Sequence, residues 1–118
     1  MANTILIKKL RKKKGLIALF GAGHLSVAFL SIMEVEDMID FVIDDNPHKS
    51  GMKMPIGQLE IVGSEFLCAE KVGICLLGLN PQNQHSVIKN NKEYSDQGGV
   101  FASIFPEVKY FLQMNNTP

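Results

Sequence analysis

A short glycine motif is the first place in this sequence where residue types and spacing suggest chemistry. Residues 21–26 read GAGHLS, which is the dinucleotide-binding fingerprint with Ser26 in place of its last glycine. Gly21 permits a tight turn, Gly23 lets the backbone approach a ligand, and a small residue at Ser26 allows close helix–strand packing. A helix that begins near His24 would present free N–H groups and a positive dipole end to an anion. The motif predicts a nucleotide-type ligand; the alternative is a turn that only joins strand to helix.

Two aspartates follow this motif by about twenty residues, where dinucleotide-binding folds place an acidic residue. Asp44 and Asp45 end a hydrophobic segment and precede Asn46 and Pro47. A carboxylate at the end of the second strand commonly accepts hydrogen bonds from a ribose. Asp-Asn-Pro is also an ordinary turn sequence. We therefore expect one aspartate to cap the turn and the other to be free for a ligand.

Polar residues after a later strand belong to the same predicted edge of the sheet. Asn80 and Pro81 have the pattern of a helix start, and His85 lies in the first turns of that helix. Ligands of open α/β sheets bind at the carboxyl ends of the strands, which groups Asn80 and His85 with His24. His24 could contact a phosphate or donate to a backbone carbonyl. Because no nucleophile–base pair, carboxylate pair or metal cluster has suitable spacing, we predict neither a catalytic residue nor a metal site.

A regular alternation of strand and helix patterns must position these residues. Hydrophobic runs of strand length occupy residues 16–20, 39–43, 59–62, 72–77 and 100–105. Helical patterns lie between them at residues 24–33, 64–68 and 80–95, with Ser64 and Asn80 as expected N-caps of the last two. The alternation predicts a Rossmann-like three-layer α/β sandwich with about five parallel strands in the order 3-2-1-4-5.

The length of 118 residues fits one domain. We expect a leading basic helix at 1–14, an α/β core at 15–112 and a frayed tail at 113–118.

Charge is segregated along the chain although the formal net charge is zero. Six of the twelve basic residues lie in the segment 8–14, where Ile5, Leu6 and Leu10 recur at helical spacing. This pattern favours the solvated face of a short helix over a nucleic-acid-binding arm.

Two cysteines and the hydrophobic runs bear on the cellular compartment. Cys68 and Cys75 lie in apolar surroundings without a CxxC motif, which is typical of reduced thiols. No apolar run reaches the ~18 residues that a membrane span requires. We therefore expect a cytoplasmic protein that binds neither membrane nor nucleic acid.

Several further segments, together with the glycine motif, resemble one known family. The segments FGAGHLS (20–26), IDFVIDDNPHKSG (39–51) and MPIG (54–57) precede CLLGLNP (75–81) and GGVFASIFP (98–106). In this order they resemble the C-terminal domain of SAM-dependent sugar C-methyltransferases, which act on nucleotide-linked deoxysugars. A weaker resemblance, to the nucleotide-sugar-binding domain of sugar acetyltransferases, rests on the glycine loop, the Asp-Asp-Asn-Pro turn and the late Phe-Pro pair. The MPIG segment favours the methyltransferase family.

The resemblance implies a Rossmann-like domain that helps to bind a nucleotide-sugar, such as a deoxythymidine-diphosphate sugar, and holds no cofactor itself. In that family SAM belongs to a central catalytic domain, which follows a cysteine-rich zinc module, and this sequence matches neither part. We therefore expect a domain that is inactive alone and serves a SAM-binding methyltransferase domain in cis or in trans. The substrate-side surface implied by the resemblance and the motifs comprises Gly21, Ala22, Gly23, His24, Ser26, Asp44, Asp45, Asn46, Asn80 and His85.

Two other functions stay open at this point. The chain could be a nucleotide- or NAD-binding Rossmann module, or an interaction domain without a ligand. A homodimer also remains open.

Overall fold

Five parallel strands form one sheet within residues 4–105, the part of the chain described by the computed structural model. In chain order the strands are β1 (Ile17–Phe20), β2 (Phe41–Ile43), β3 (Ile61–Val62), β4 (Ile74–Leu77) and β5 (Val100–Ser103). The helices are α1 (Thr4–Lys14), α2 (His24–Met33), α3 (Phe66–Ala69), α4 (Pro81–Asn90) and α5 (Lys92–Asp96), and a 3₁₀ turn (Glu36–Met38) precedes β2. The sheet order β3-β2-β1-β4-β5 confirms the predicted Rossmann-like α/β fold. The predicted tail at 113–118 lies outside the described residues.

The central strand β1 sets the position of the sheet edge at which the predicted site residues lie. Phe20 at its carboxyl end pairs with Ile43 of β2 on one side and with Leu77 of β4 on the other. The chain order reverses across β1, since β2 and β3 lie to one side and β4 and β5 to the other. Open α/β sheets bind ligands in the crevice beyond the carboxyl ends of the strands at such a switch point. The loops after β1, β2 and β4 therefore meet at one place.

The sheet is covered on both faces, which explains its unbroken hydrophobic strands. Ile17 and Leu19 of β1 pack into a core with Phe29 of α2, while Ala18 and Phe20 face the opposite core. That second core is closed by side chains from α3, α4 and α5. Because successive strand residues point to opposite faces, both kinds of position must be apolar in a sheet with two covered faces.

The leading helix α1 is amphipathic, but its buried residues differ in part from the prediction. Ile7 and Leu10 are buried in the first core, whereas Ile5 is 69% exposed. Lys8 and Lys12 are exposed, as expected for a solvated face. The predicted apolar side of the helix included Ile5, whereas the buried side contains Ile7 instead.

Arg11 is a half-buried basic residue of α1 with an acidic partner. Its guanidinium forms a bidentate ion pair with the Asp40 carboxylate, with nitrogen–oxygen distances of 2.7 and 3.0 Å. The same carboxylate accepts the backbone N–H of Ile17 at 2.9 Å. The hydrogen bond to Asp40 raises the pKa of Arg11 above its ordinary value. This cluster joins α1 to the starts of β1 and β2.

Several predicted element boundaries are wrong by a few residues. The second strand begins at Phe41 rather than at residue 39, because the 3₁₀ turn and the Asp40 ion pair occupy the preceding residues. Only two of the predicted residues 59–62 belong to β3, since Glu60 forms an antiparallel bridge with Lys53 in a preceding hairpin. Ser64 does not cap α3 through its side chain.

The helix predicted at 80–95 is divided in two at Asn91. The side-chain amide of Asn91 donates to the Val87 carbonyl at 2.8 Å, and its backbone ψ of 38° departs from helical geometry. Local side-chain to backbone bonds of this kind compete with helix continuation. The start of the helix is confirmed, because Pro81 is its first residue and Asn80 Oδ1 accepts the Gln82 N–H at 3.0 Å.

Alkaline pH should destabilise the domain through two buried acids of the second core. Burial raises the pKa of the Cys75 thiol above its ordinary value of 9.0, and burial likewise raises the pKa of Tyr94, whose hydroxyl donates to the Val72 carbonyl. The folded chain therefore keeps protons that the unfolded chain releases above pH about 9 to 10. Stability is fully present below that range and falls by up to about 1.4 kcal/mol per pH unit for each group above it.

Urea unfolding between pH about 8 and 11 measures this loss. Cys75→Ala should lower the slope of the curve between pH about 9 and 10, because the Cys75 thiol starts to titrate there in the unfolded chain. An unchanged slope in Cys75→Ala would contradict the assignment.

No helix within residues 4–105 combines the length and hydrophobicity needed to cross a membrane.

Candidate functional site

The glycine loop after β1 is a tight turn at the switch point of the sheet. Gly21 has φ of +111°, a conformation that side-chain-bearing residues rarely adopt, and its N–H donates to the Ile43 carbonyl at 2.7 Å. A Cβ at Gly21 would also lie 3.4 Å from the Gly78 carbonyl oxygen. The sequence therefore needs glycine here for the turn, and the turn aims the chain from β1 into α2.

Asp44 at the end of β2 organises this loop. Its Oδ2 accepts the Ala22 N–H at 3.0 Å, and its Oδ1 accepts the Asn46 N–H at 2.9 Å. The carboxylate is half-buried, and it joins the glycine loop to the β2 turn. A carboxylate has about four lone-pair sites, so both oxygens can accept a further hydrogen bond.

Lys49 is a site residue that the sequence reasoning missed. Its Nζ donates to the Ala22 carbonyl at 2.8 Å, which brings an ammonium group against the glycine loop. The side chain reaches there because the turn after Asn46 reverses the chain at the end of β2. A basic residue within five positions of Asp44 was the available signal, but its direction depends on the turn.

Ser26 lies under the loop rather than in it. The residue is fully buried, and its hydroxyl donates to the Gly78 carbonyl at 3.2 Å. A Cβ at Gly78 would approach the Ser26 Oγ to 2.4 Å, so α2 and the end of β4 are packed as closely as these residues permit. Ser26 thus has the packing role that its small size predicts, and its side chain offers no surface to a ligand.

A shallow depression of about 310 Å³ opens where these loops meet. This volume is at the low end of the roughly 300–1,000 Å³ of small-molecule pockets, so it can hold part of a larger ligand. The residues that line it are Gly21, Ala22, Gly23, His24, Leu25, Asp44, Lys49, Gly78, Leu79 and Asn80.

Six of the ten predicted site residues line this depression, and four do not. Asp45 accepts the Ser64 N–H at 2.8 Å and Asn46 accepts the His48 N–H at 3.0 Å, so both serve neighbouring turns. His85 is exposed on α4 and does not line the depression, and Ser26 is buried beneath it. The expectation that one aspartate stays free is wrong, because Asp44 and Asp45 both accept hydrogen bonds from backbone N–H groups.

The charges of the depression are one cation, Lys49, and one carboxylate, Asp44, next to the start of a helix. The helix α2 begins after Gly23 without a side-chain cap, and the first N–H groups of a helix have no acceptor within it. These donors and the positive dipole end lie beside the Lys49 ammonium. Asn80 leaves its amide NH₂ as a further donor, since only its oxygen is used by the helix cap. The arrangement suits an anionic group next to neutral polar groups.

His24 is the first residue of α2 and lines the depression. His24 is exposed, and its imidazole makes no hydrogen bond within residues 4–105. In the same stretch no three His, Cys, Asp or Glu side chains are grouped so that they could hold a metal ion.

Fold and site together define a Rossmann-like α/β domain with a glycine loop and a shallow depression at its switch point. The chain belongs to the family of C-methyltransferase C-terminal domains, whose family model matches residues 2–106. No curated protein matches the chain.

Nine chains of solved structures match it. One of them is RSP, a Rex-family repressor, with a TM-score of 0.56 and 18% sequence identity. The alignment covers 93% of this chain and 56% of the repressor chain, so this chain spans about half of that protein. At this identity the likeness shows a shared fold alone.

Proposed function

We propose that this domain binds the nucleotide diphosphate portion of a nucleotide-linked sugar, as the substrate-side module of a sugar C-methyltransferase. Methyl transfer itself would be carried out by a SAM-binding domain in cis or in trans. The observation that carries the proposal is the meeting of the α2 N-terminus and the Lys49 ammonium at one depression. Membership of the C-methyltransferase C-terminal domain family supports the class of substrate.

Each part of such a ligand has a matching group in the depression. The diphosphate would lie against the free N–H groups of α2, where the absence of a side chain at Gly23 leaves the backbone accessible. Lys49 would turn from the Ala22 carbonyl to a phosphate oxygen, because a charge-assisted bond is stronger than a neutral one. Asp44, on the same rim, retains acceptor sites for ribose or sugar hydroxyls.

Titration of the purified chain with deoxythymidine diphosphate tests the proposal. We expect amide chemical-shift changes at Gly21, Gly23 and Asp44 at millimolar ligand. NAD and SAM are titrated for comparison, because a Rossmann cofactor module would bind them instead. A bound ligand raises the apparent stability by mass action. If NAD stabilises the chain and deoxythymidine diphosphate causes no chemical-shift change, the proposed function is refuted.

Lys49→Met should lower the affinity for deoxythymidine diphosphate about tenfold, because a charge-assisted hydrogen bond contributes about 1.5–3 kcal/mol. Isothermal titration calorimetry measures the change. Uncharged thymidine should bind both proteins alike, which separates loss of a phosphate contact from collapse of the depression.

Two matched variants accompany this prediction. Lys53→Met removes a lysine that is exposed on the hairpin outside the depression, and it should leave the affinity unchanged. Lys49→Arg keeps the charge and should retain most of the binding. Equal losses in Lys49→Met and Lys53→Met would show a general charge effect and contradict the role of Lys49.

A further inference from the structure

Gln84, near the start of α4, is a buried amide with one unpartnered atom. The residue is only 1% exposed. Its Nε2 donates to the Leu79 carbonyl at 3.1 Å, whereas its Oε1 is enclosed and has no hydrogen-bond partner in the part of the chain that the structure describes. A buried polar atom without a partner lowers stability, so packing alone would favour an apolar side chain at this position. The contribution of the amide is therefore its bond to the Leu79 carbonyl.

Leu79 belongs to the short loop between β4 and α4, residues 78–80, which we call the β4–α4 loop. All three of its residues line the depression. The N–H groups of Leu79 and Asn80 have no acceptor within residues 4–105. Each carbonyl of the loop, in contrast, has a donor: the Ser26 hydroxyl for Gly78, Gln84 Nε2 for Leu79 and the Asn83 N–H for Asn80.

The bonded carbonyls fix the direction of the free N–H groups. The carbonyl of one residue and the N–H of the next share a planar trans peptide unit and point in opposite directions. Because the buried Gln84 holds the Leu79 carbonyl, the Asn80 N–H points away from Gln84. The buried Ser26 holds the Gly78 carbonyl and sets the Leu79 N–H in the same way. Two buried side chains thus turn two free backbone donors away from the interior.

We propose that Gln84 is a positioning residue for the second phosphate of the ligand. The β4–α4 loop lies against the glycine loop, since a Cβ at Gly21 would be 3.4 Å from both the Gly78 carbonyl oxygen and the Leu79 Cβ. When one phosphate lies at the start of α2, its neighbour comes within reach of the Asn80 N–H, whose direction depends on Gln84. A bond from this N–H to a phosphate oxygen is charge-assisted and correspondingly strong. The inference rests on the proposed function, because it concerns the same nucleotide diphosphate.

Gln84→Met tests this role by the difference between two nucleotides. Methionine has a similar length but no donor, so the peptide unit between Leu79 and Asn80 is free to turn. We expect the affinity for deoxythymidine diphosphate to fall about tenfold, the effect of losing one hydrogen bond to a charged group. The affinity for deoxythymidine monophosphate, whose single phosphate binds at α2 and Lys49, should stay the same. Isothermal titration calorimetry measures both affinities.

Two other variants separate positioning from a general loss of structure. Gln82→Met is the matched control and should leave both affinities unchanged, because Gln82 is exposed on the same helix and does not line the depression. Lys49→Met, in contrast, should weaken the binding of both nucleotides. The thermal midpoint of Gln84→Met should lie within about 4 °C of the native value, because the lost bond and the removed unpartnered oxygen offset each other.

A measurement on the native chain needs no variant. The Asn80 amide proton should shift downfield with the diphosphate and not with the monophosphate, whereas the Gly23 amide should respond to both. The role of Gln84 alone is overturned if Asn80 shows no diphosphate-specific shift, or if Gln84→Met keeps its affinity for the diphosphate or loses affinity for both nucleotides equally. If the native chain does not bind the diphosphate at all, this role and the proposed function fail together.

Discussion

Gly73→Ala should destabilise the domain by about 3 kcal/mol, near the upper end of the usual cost of overpacking. A Cβ at Gly73 would lie only 2.0 Å from the carbonyl oxygen of Lys14 at the end of α1. That atom belongs to the backbone, so no side-chain rotation relieves the overlap. The Gly73 N–H also donates to the Leu16 carbonyl at 2.9 Å, which ties the start of β4 to the segment before β1. Either α1 or β4 must therefore move.

Urea unfolding of the variant and the native chain measures the difference in free energy. Gly23→Ala is the matched control, because a Cβ there meets no atom within 4 Å, and its φ of −113° suits any residue. That variant should change stability by no more than about 1 kcal/mol. If the two substitutions cost the same, the close contact with Lys14 would not be a determinant of stability.

The close contact at Gly73 illustrates which parts of the fold the sequence could predict. The unbroken hydrophobic strands and the glycine loop predicted five parallel strands and their order, because these depend on patterns within each segment. The approach of Lys14 to Gly73 depends on how two distant segments pack, and neither residue signals it alone. The predicted starts of β2 and β3 were wrong for the same reason, since the Asp40 ion pair and the bridge between Lys53 and Glu60 are tertiary contacts.

The same distinction between local pattern and tertiary contact applies to the candidate site. Gly21 and Asp44 were predicted from their spacing, and the structure joins them through the Ala22 N–H. Lys49 was missed because its position follows from a chain reversal, which brings its ammonium back to the Ala22 carbonyl. His85 was grouped with the loop because it follows β4, but the helix turns it toward solvent outside the depression. Strand order places residues at an edge, whereas side-chain direction decides which of them share a site.

Gly78→Ala should cost about 2 kcal/mol, and much of that cost should disappear when Ser26 is also replaced by alanine. The added methyl would lie 2.4 Å from the Ser26 Oγ and 2.9 Å from Leu19 Cδ1. Ser26→Ala alone should cost about 1 kcal/mol, because the hydroxyl bond to the Gly78 carbonyl is lost. In the double variant the hydroxyl is absent, and the Ser26 Cβ lies at an ordinary contact distance of 3.5 Å.

A double-mutant cycle of urea unfolding measures the coupling, which we expect to be at least about 1 kcal/mol. Gly23→Ala in the Ser26→Ala background is the control, and its effect should be additive because its methyl meets nothing nearby. Strict additivity for Gly78 and Ser26 would contradict the contact.

The coupling would also explain the serine at the end of the glycine motif. In the fingerprint the last glycine allows the helix to approach the strand. Here Gly78, on the strand side, supplies that space, and the facing Ser26 uses it for a hydrogen bond. The serine is then compatible with an intact loop, so the altered motif by itself is no sign that the depression has lost its ligand.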